Sequence, residues 1–226
     1  MVVGASGSTR GRTPSIVPPL RDVVVDHPRL LLVGINPGLR SGALGHHFAG
    51  VGNPFWRLLH AAGLTPVLID PSDDQRLAEH GIALTNLCPR TTRTAAELGR
   101  VEIARGRAAL ARKIARWRPA VVAFVGVSLY PLFFGRVATG GPGEKPETVS
   151  GARVFVVPNP SGLNASYPGF DSKLIWFRRL RRFAERQSAI PSGENAGADG
   201  GADARDVRRR GRVRVGLRAG VSSPRR

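Results

Sequence analysis

Short apolar runs separated by amphipathic stretches constrain this chain more than any other feature. Strands are predicted over 29–34, 82–86 ("IALTN"), 120–125 ("AVVAFV") and 153–158 ("RVFVVP"). Near-continuous apolar runs suit strands buried on both faces, because a half-exposed strand would alternate polar and apolar residues. Helical patterns lie between and after them. Asn53 and Pro54 read as cap and first position of a helix whose Phe55, Leu58, Leu59 and Ala62 share a face before Gly63 ends it. Ser72 with Gln75, and Thr94 with Glu97, read as capping boxes, the first opening a short helix that ends at Gly81. In the long helical region after Thr94, Ile103, Leu110, Ile114 and Trp117 fall on one face. Pro131 makes "VSLYPLFF" a short or broken helix. A last helix, about 171–186, turns Trp176, Leu180 and Phe183 inward. Strand–helix alternation of this kind predicts an α/β fold with a mostly parallel central sheet in three layers, α/β/α. Ligands of such sheets bind beyond the carboxyl ends of the strands. That directs attention to the loop from Ile35, the turn at Asn86 and the loop from Asn159.

The ends differ in kind. Residues 1–26 are rich in Gly, Ser, Pro and Arg, and 188–226 hold almost no large apolar residues; both are expected to be disordered around a domain at 27–187. The tail's acids come first and its arginines later. It reads equally as a basic nucleic-acid arm and as a neutral extension. The 34 Lys and Arg against 16 Asp and Glu give a net charge of +18, which favours a polyanionic partner, nucleic acid ahead of membrane. A single cysteine, Cys88, excludes an internal disulfide and any four-cysteine metal site. With no apolar stretch long enough for a membrane span or a signal peptide, the expectation is a soluble, cytoplasmic monomer without membrane contact.

Two predicted strands end in Asn-Pro, each followed closely by Gly: "GINPGL" from Gly34 and "NPSGLN" from Asn159. Together with "GHHFAGVGNPFW" and "GIALTNLCPRTT", in this order, these stretches resemble the mismatch-specific uracil/thymine-DNA glycosylases of the uracil-DNA glycosylase superfamily. The resemblance covers about residues 28–185. It implies hydrolysis of the N-glycosidic bond of a pyrimidine flipped out of a G·U or G·T mismatch in double-stranded DNA. Water is then the nucleophile, and neither metal nor cofactor is needed.

The chemistry suits the residues. Bond cleavage leaves an oxocarbenium-like sugar and an anionic base, so a site must seat the extruded base, stabilise its charge and hold a water beneath the sugar. An amide both donates and accepts hydrogen bonds but takes up no proton near neutral pH. The resemblance assigns Asn36 the water, which implies slow catalysis. Taken alone, Asn36 also reads as a turn residue after a strand. Phe48 would stack on the base, and backbone N–H groups near Ile35 and Phe48 would meet its carbonyl edge. Gly38 and Gly42 would permit close backbone approach. Ser41 is a candidate for the base or the adjacent phosphate, and His47 for the pocket lining. His46 reads as structural or exposed, and adjacent histidines without a third ligand do not make a metal site. Asn86 would read a base edge or simply turn the chain. Asn159 stands where many superfamily members carry His, which again implies a weaker catalyst. Ser161 would grip phosphate, Leu163 would wedge into the emptied stack, and Gly162 and Asn164 would meet the widowed guanine. Arg90, Arg93 and the arginines of the last helix are candidate phosphate contacts.

Two other functions fit the same residues: a related glycosylase preferring hypoxanthine or xanthine, and a non-catalytic binder of mismatched or abasic DNA.

Overall fold

The computed structural model describes residues 18–135, 141–162 and 164–189. Five strands form one sheet: β1 (Leu30–Gly34), β2 (Ile82–Asn86), β3 (Val121–Val125), β4 (Gly143–Val149) and β5 (Ala152–Val157). Their spatial order is β2-β1-β3-β5-β4. The first four in that order run parallel, and β4 returns antiparallel along β5. Every residue of β1 and β3 is buried, as expected of strands covered on both faces.

The helices are α1 (Leu39–Leu44), α2 (Phe55–Ala61), α3 (Arg100–Trp117), α4 (Leu129–Phe134) and α5 (Asp171–Ser188), with a 3-10 segment at Pro71–His80. Alternate strand residues serve opposite cores. Leu30, Leu32, Leu84 and Ala123 pack with Phe55, Leu59, Phe177 and Leu180 of α2 and α5. Leu31, Val33, Val122 and Phe124 pack with Leu110, Ile114, Leu129 and Phe133 of α3 and α4. The result is the three-layer α/β/α arrangement.

Several local expectations need correction. β4, "GEKPETV", was not anticipated, because its charges and Pro146 hide the strand. It lies at the sheet edge, and its register shifts between Lys145 and Thr148, where a proline's missing N–H is tolerated. The stretch after β1 is not wholly open loop, since α1 occupies six of its residues. Asp70, not Ser72, caps the 71–80 segment. Pro71 takes the first helical position, and Asp70 Oδ1 accepts from Ser72 N at 2.9 Å and from Ser72 Oγ at 2.7 Å. Thr94 and Glu97 do form a capping box, but around a single 3-10 turn. The packed region also begins before residue 27. Val23 is fully buried and exchanges backbone bonds of 2.9 and 3.0 Å with Leu84. The terminal stretches 1–17 and 190–226 lie outside the described residues.

Candidate active site

Strand order places a crevice at the centre of the sheet. The path leaving β1 runs through α2 on one face, and the path leaving β3 runs through α4 on the other. The loops leaving β1 and β3 therefore part in opposite directions, which opens a cleft at their carboxyl ends. The cavity there has a volume of about 340 Å³. Ile35, Asn36, Gly38, Ser41, His47, Phe48, Asn86, Asn159 and Ser161 all line it, so both Asn-Pro loops open onto the same space.

Asn36, two residues beyond β1, is half-buried, and its amide orientation is set by its partners. The two N–H groups of Nδ2 face three oxygens: Thr92 Oγ1 at 2.7 Å, Arg90 O at 3.0 Å and Pro37 O at 3.1 Å. Thr92 Oγ1 spends its own proton on Thr94 O at 2.7 Å, so only its lone pairs face Asn36. A flipped amide would set Oδ1 against two carbonyls and a hydroxyl oxygen. The nitrogen side is therefore locked inward, and Oδ1 remains as an acceptor. Thr92, buried and far along the chain, was not singled out in the sequence, because a threonine in "PRTT" carries no pattern.

Asn86 is fixed by a relay. The buried His47 ring brings Nε2 to 3.1 Å from Arg21 O, which can only accept. Its Nδ1 lies 3.5 Å from Asn86 Nδ2. Burial lowers the His47 pKa below its ordinary value, although the Arg21 carbonyl and the nearby Asp74 and Asp22 pull it up. The ring is accordingly neutral near pH 7 with its proton on Nε2. Asn86 Oδ1 then lies over Gly34, so close that a Cβ on Gly34 would be 2.4 Å away.

Phe48 adopts left-handed backbone, φ 52°, rare for an aromatic residue. That turn lays its ring on Phe55, with centroids 3.8 Å apart and planes 16° from parallel. Ser41 Oγ braces the same loop by accepting Ala49 N at 3.0 Å. Asp74, a second residue the sequence reading passed over, anchors the loop from below: its Oδ2 accepts His47 N at 2.9 Å, and His46 Nδ1 lies 3.6 Å from its Oδ1. Gly38 faces open space, but Gly42 does not serve ligand approach. A Cβ there would strike Thr91 Oγ1 at 2.2 Å, so Gly42 lets α1 pack on Thr91.

In the second loop, Asn159 Oδ1 accepts Ser161 N at 2.9 Å, which leaves Nδ2 as the amide's donor. Asn164 Nδ2 ties the loop back to Asn159 O at 3.0 Å. Gly162 is exposed, and a Cβ on it would meet nothing. Gly162 and Asn164 do not line the cavity. Leu163 lies outside the described residues.

Arg90 is not a free phosphate contact. Its guanidinium forks onto Glu102 at 2.9 and 3.0 Å and reaches Glu97 O at 2.7 Å, bracing the turn whose carbonyl holds Asn36. Arg93 lines the cavity and is exposed. Burial pushes the Cys88 thiol pKa up to about 11, so it is no nucleophile. Among the described residues no cluster of three His, Cys, Asp or Glu side chains is arranged to hold a metal, and no helix is long and apolar enough to cross a membrane.

Residues 22–181 match the family model described as the Uracil DNA glycosylase superfamily. A G/U mismatch-specific uracil DNA glycosylase of Schizosaccharomyces pombe is 31% identical over 172 residues, covering 72% of this chain and 53% of the relative. The chain thus spans about half the length of that curated relative.

Proposed function

The chain belongs to the uracil DNA glycosylase superfamily, and from that membership we propose that it removes uracil mispaired with guanine in double-stranded DNA, hydrolysing the N-glycosidic bond and leaving an abasic site. The observation that carries this reading is the polarity of three neutral amides around one cavity. Asn36 and Asn86 each have their nitrogen committed to protein acceptors and keep an oxygen free, whereas Asn159 has its oxygen committed and keeps a nitrogen.

Those polarities match the reaction. An extruded uracil extends the Phe48–Phe55 stack. Asn86 Oδ1 accepts its N3–H. Cytosine, whose N3 is an acceptor, meets a second acceptor and is refused. Asn36 Oδ1 accepts one O–H of a water and turns a lone pair of that water toward the sugar C1′. As the C1′–N1 bond breaks, its electron pair leaves with the base, and Asn159 Nδ2 donates to the developing anion. The water oxygen bonds to C1′ and releases a proton to the departing base or to solvent. Without a carboxylate or a cationic donor, the rate depends on how well the base leaves. Thymine, whose methyl group makes its anion less stable, is the slower substrate. A mismatched base also costs less to extrude than a paired one, which favours the G·U and G·T contexts. The three lysines are engaged elsewhere, with Asp22, Gly141 O and Gly169 O, so the reaction ends at the abasic site without a lyase step. We further propose that the enzyme works as a cytoplasmic monomer on duplex DNA.

The test is release of free uracil from a G·U duplex. Asn36→Ala abolishes release and retains binding to the duplex. A wild-type protein that binds mismatches but frees no base would instead make this a mismatch binder.

A further inference from the structure

We propose that His47 is a positioning residue that sets the polarity of the Asn86 amide, so that the pocket accepts a base bearing N3–H only while the imidazole is neutral. This deepens the glycosylase reading above and rests on it. The geometry is a chain of forced choices. Arg21 O, 3.1 Å from Nε2, cannot donate, so the ring's proton sits on Nε2. Nδ1 then offers only a lone pair, and of the two ends of the Asn86 amide only Nδ2 can meet it, at 3.5 Å. Oδ1 must face the space above Gly34, where the base enters. The ring cannot swing away. His47 is 1% exposed, its N–H is held by Asp74 Oδ2 at 2.9 Å, and its carbonyl accepts Trp56 Nε1 at 3.0 Å.

Adding a proton to Nδ1 reverses the sequence. Nδ1–H then needs an acceptor, the Asn86 amide turns over, and Nδ2 confronts the N3–H of uracil, donor against donor. The charged groups around the ring are Asp74 from the 71–80 segment, Asp22 from the N-terminal stretch and Lys113 from α3, with His46 beside it against Asp74. Lys113 lies 2.6 Å from Asp22 Oδ2, which offsets that carboxylate's pull on the imidazole. Burial outweighs the carboxylates and holds the His47 pKa below the usual histidine value. Base selection is therefore intact at neutral pH and is lost on acidification below the ordinary histidine range.

Two measurements test this. Long-range proton–nitrogen correlation spectra of the wild-type protein should show the His47 ring neutral and protonated at Nε2 at neutral pH. A charged ring or the Nδ1–H tautomer overturns the relay. Single-turnover release is then compared for duplexes carrying uracil or N3-methyluracil opposite guanine, from mildly alkaline to mildly acidic pH. The wild type prefers uracil by about 10- to 100-fold, the loss expected when one buried hydrogen bond is left unmade, and the preference collapses in acid. His47→Leu shows a reduced preference at every pH. His47→Asn, which offers a non-titrating acceptor in place of Nδ1, restores the preference and removes its acid collapse. If His47→Leu keeps both the preference and the acid collapse, the relay is wrong while the glycosylase reading stands. A wild type that frees neither base overturns that reading, and with it the selecting role of His47.

Discussion

Substituting Gly34 by Ala tests whether the Asn86 oxygen reads the base. Gly34 has no positive φ, so alanine fits the β1 backbone without strain. Its Cβ would lie 2.4 Å from Asn86 Oδ1 and 3.4 Å from Phe48 Cζ. The second distance is ordinary contact; the first is not. A carbon–oxygen contact relaxes at about 3.3 Å, so Oδ1 must retreat by about 0.9 Å. The obstacle is the end of a side chain held by a single 3.5 Å bond, so it can yield without disturbing the sheet. The fold should therefore lose no more than about 1 kcal/mol. The pocket loses more: an acceptor displaced by that distance leaves N3–H unpaired, at about 1–3 kcal/mol, or about 10- to 100-fold in rate. Single-turnover uracil release from a G·U duplex, read beside a thermal melt, separates the two effects. Wild-type rate with wild-type discrimination against N3-methyluracil would show that Asn86 Oδ1 does not read the base. A fall in melting temperature of core-cavity size would show that the methyl strikes the framework instead.

Asn36→Asp sets a carboxylate oxygen against Pro37 O and Arg90 O, where an N–H donor now sits. The carboxyl pKa rises in the folded state, so stability drops as pH climbs above about 4, by about 1–3 kcal/mol in thermal melts at neutral pH. Thr92→Val keeps the shape but removes one acceptor from Asn36 and one donor from Thr94 O; uracil release should fall by about 10-fold, with the melting temperature lowered by two lost hydrogen bonds. Glu102→Gln breaks the fork to Arg90, whose hydrogen bond holds the Glu102 carboxyl below its usual pKa. A depressed carboxylate stabilises the fold above the unfolded pKa and loses that effect as pH falls through the folded one, so variant and wild type should melt apart at neutral pH and together in strong acid.

How much of this was legible follows from where each interaction originates. β1, β2, β3 and β5 were readable because burial on both faces writes a continuous apolar run into the sequence. β4 was not, since an edge strand with Pro146 and exposed charges has no such run to show. α1 was missed because six residues with Leu39 and Leu44 exposed carry no periodicity. The part of the cavity lining that was legible comes from the two Asn-Pro loops, the stretch through His47 and Phe48, and the turn at Asn86. The polarity of its amides was not legible. It is set by the carbonyls of Arg90, Pro37 and Arg21, which any side chain at those positions would supply, and by Thr92, 56 residues from Asn36.

That origin makes one substitution behave in opposite ways at two asparagines. At Asn36 the bound end is nitrogen, so Asp costs stability before any chemistry is asked of it. At Asn159 the bound end is oxygen, accepting Ser161 N at 2.9 Å, and an Asp preserves that bond and with it the turn. In the proposed reaction the other end changes from a donor to an anion where the base departs. Asn159→Asp should therefore melt within about 0.5 kcal/mol of wild type, as a surface change does, yet free uracil about 100-fold more slowly, as when an oxyanion donor is removed. The ordering of the two variants in melting temperature is the discriminating result. If Asn159→Asp were the less stable, the assignment of its oxygen to Ser161, and of its nitrogen to the leaving base, would be reversed.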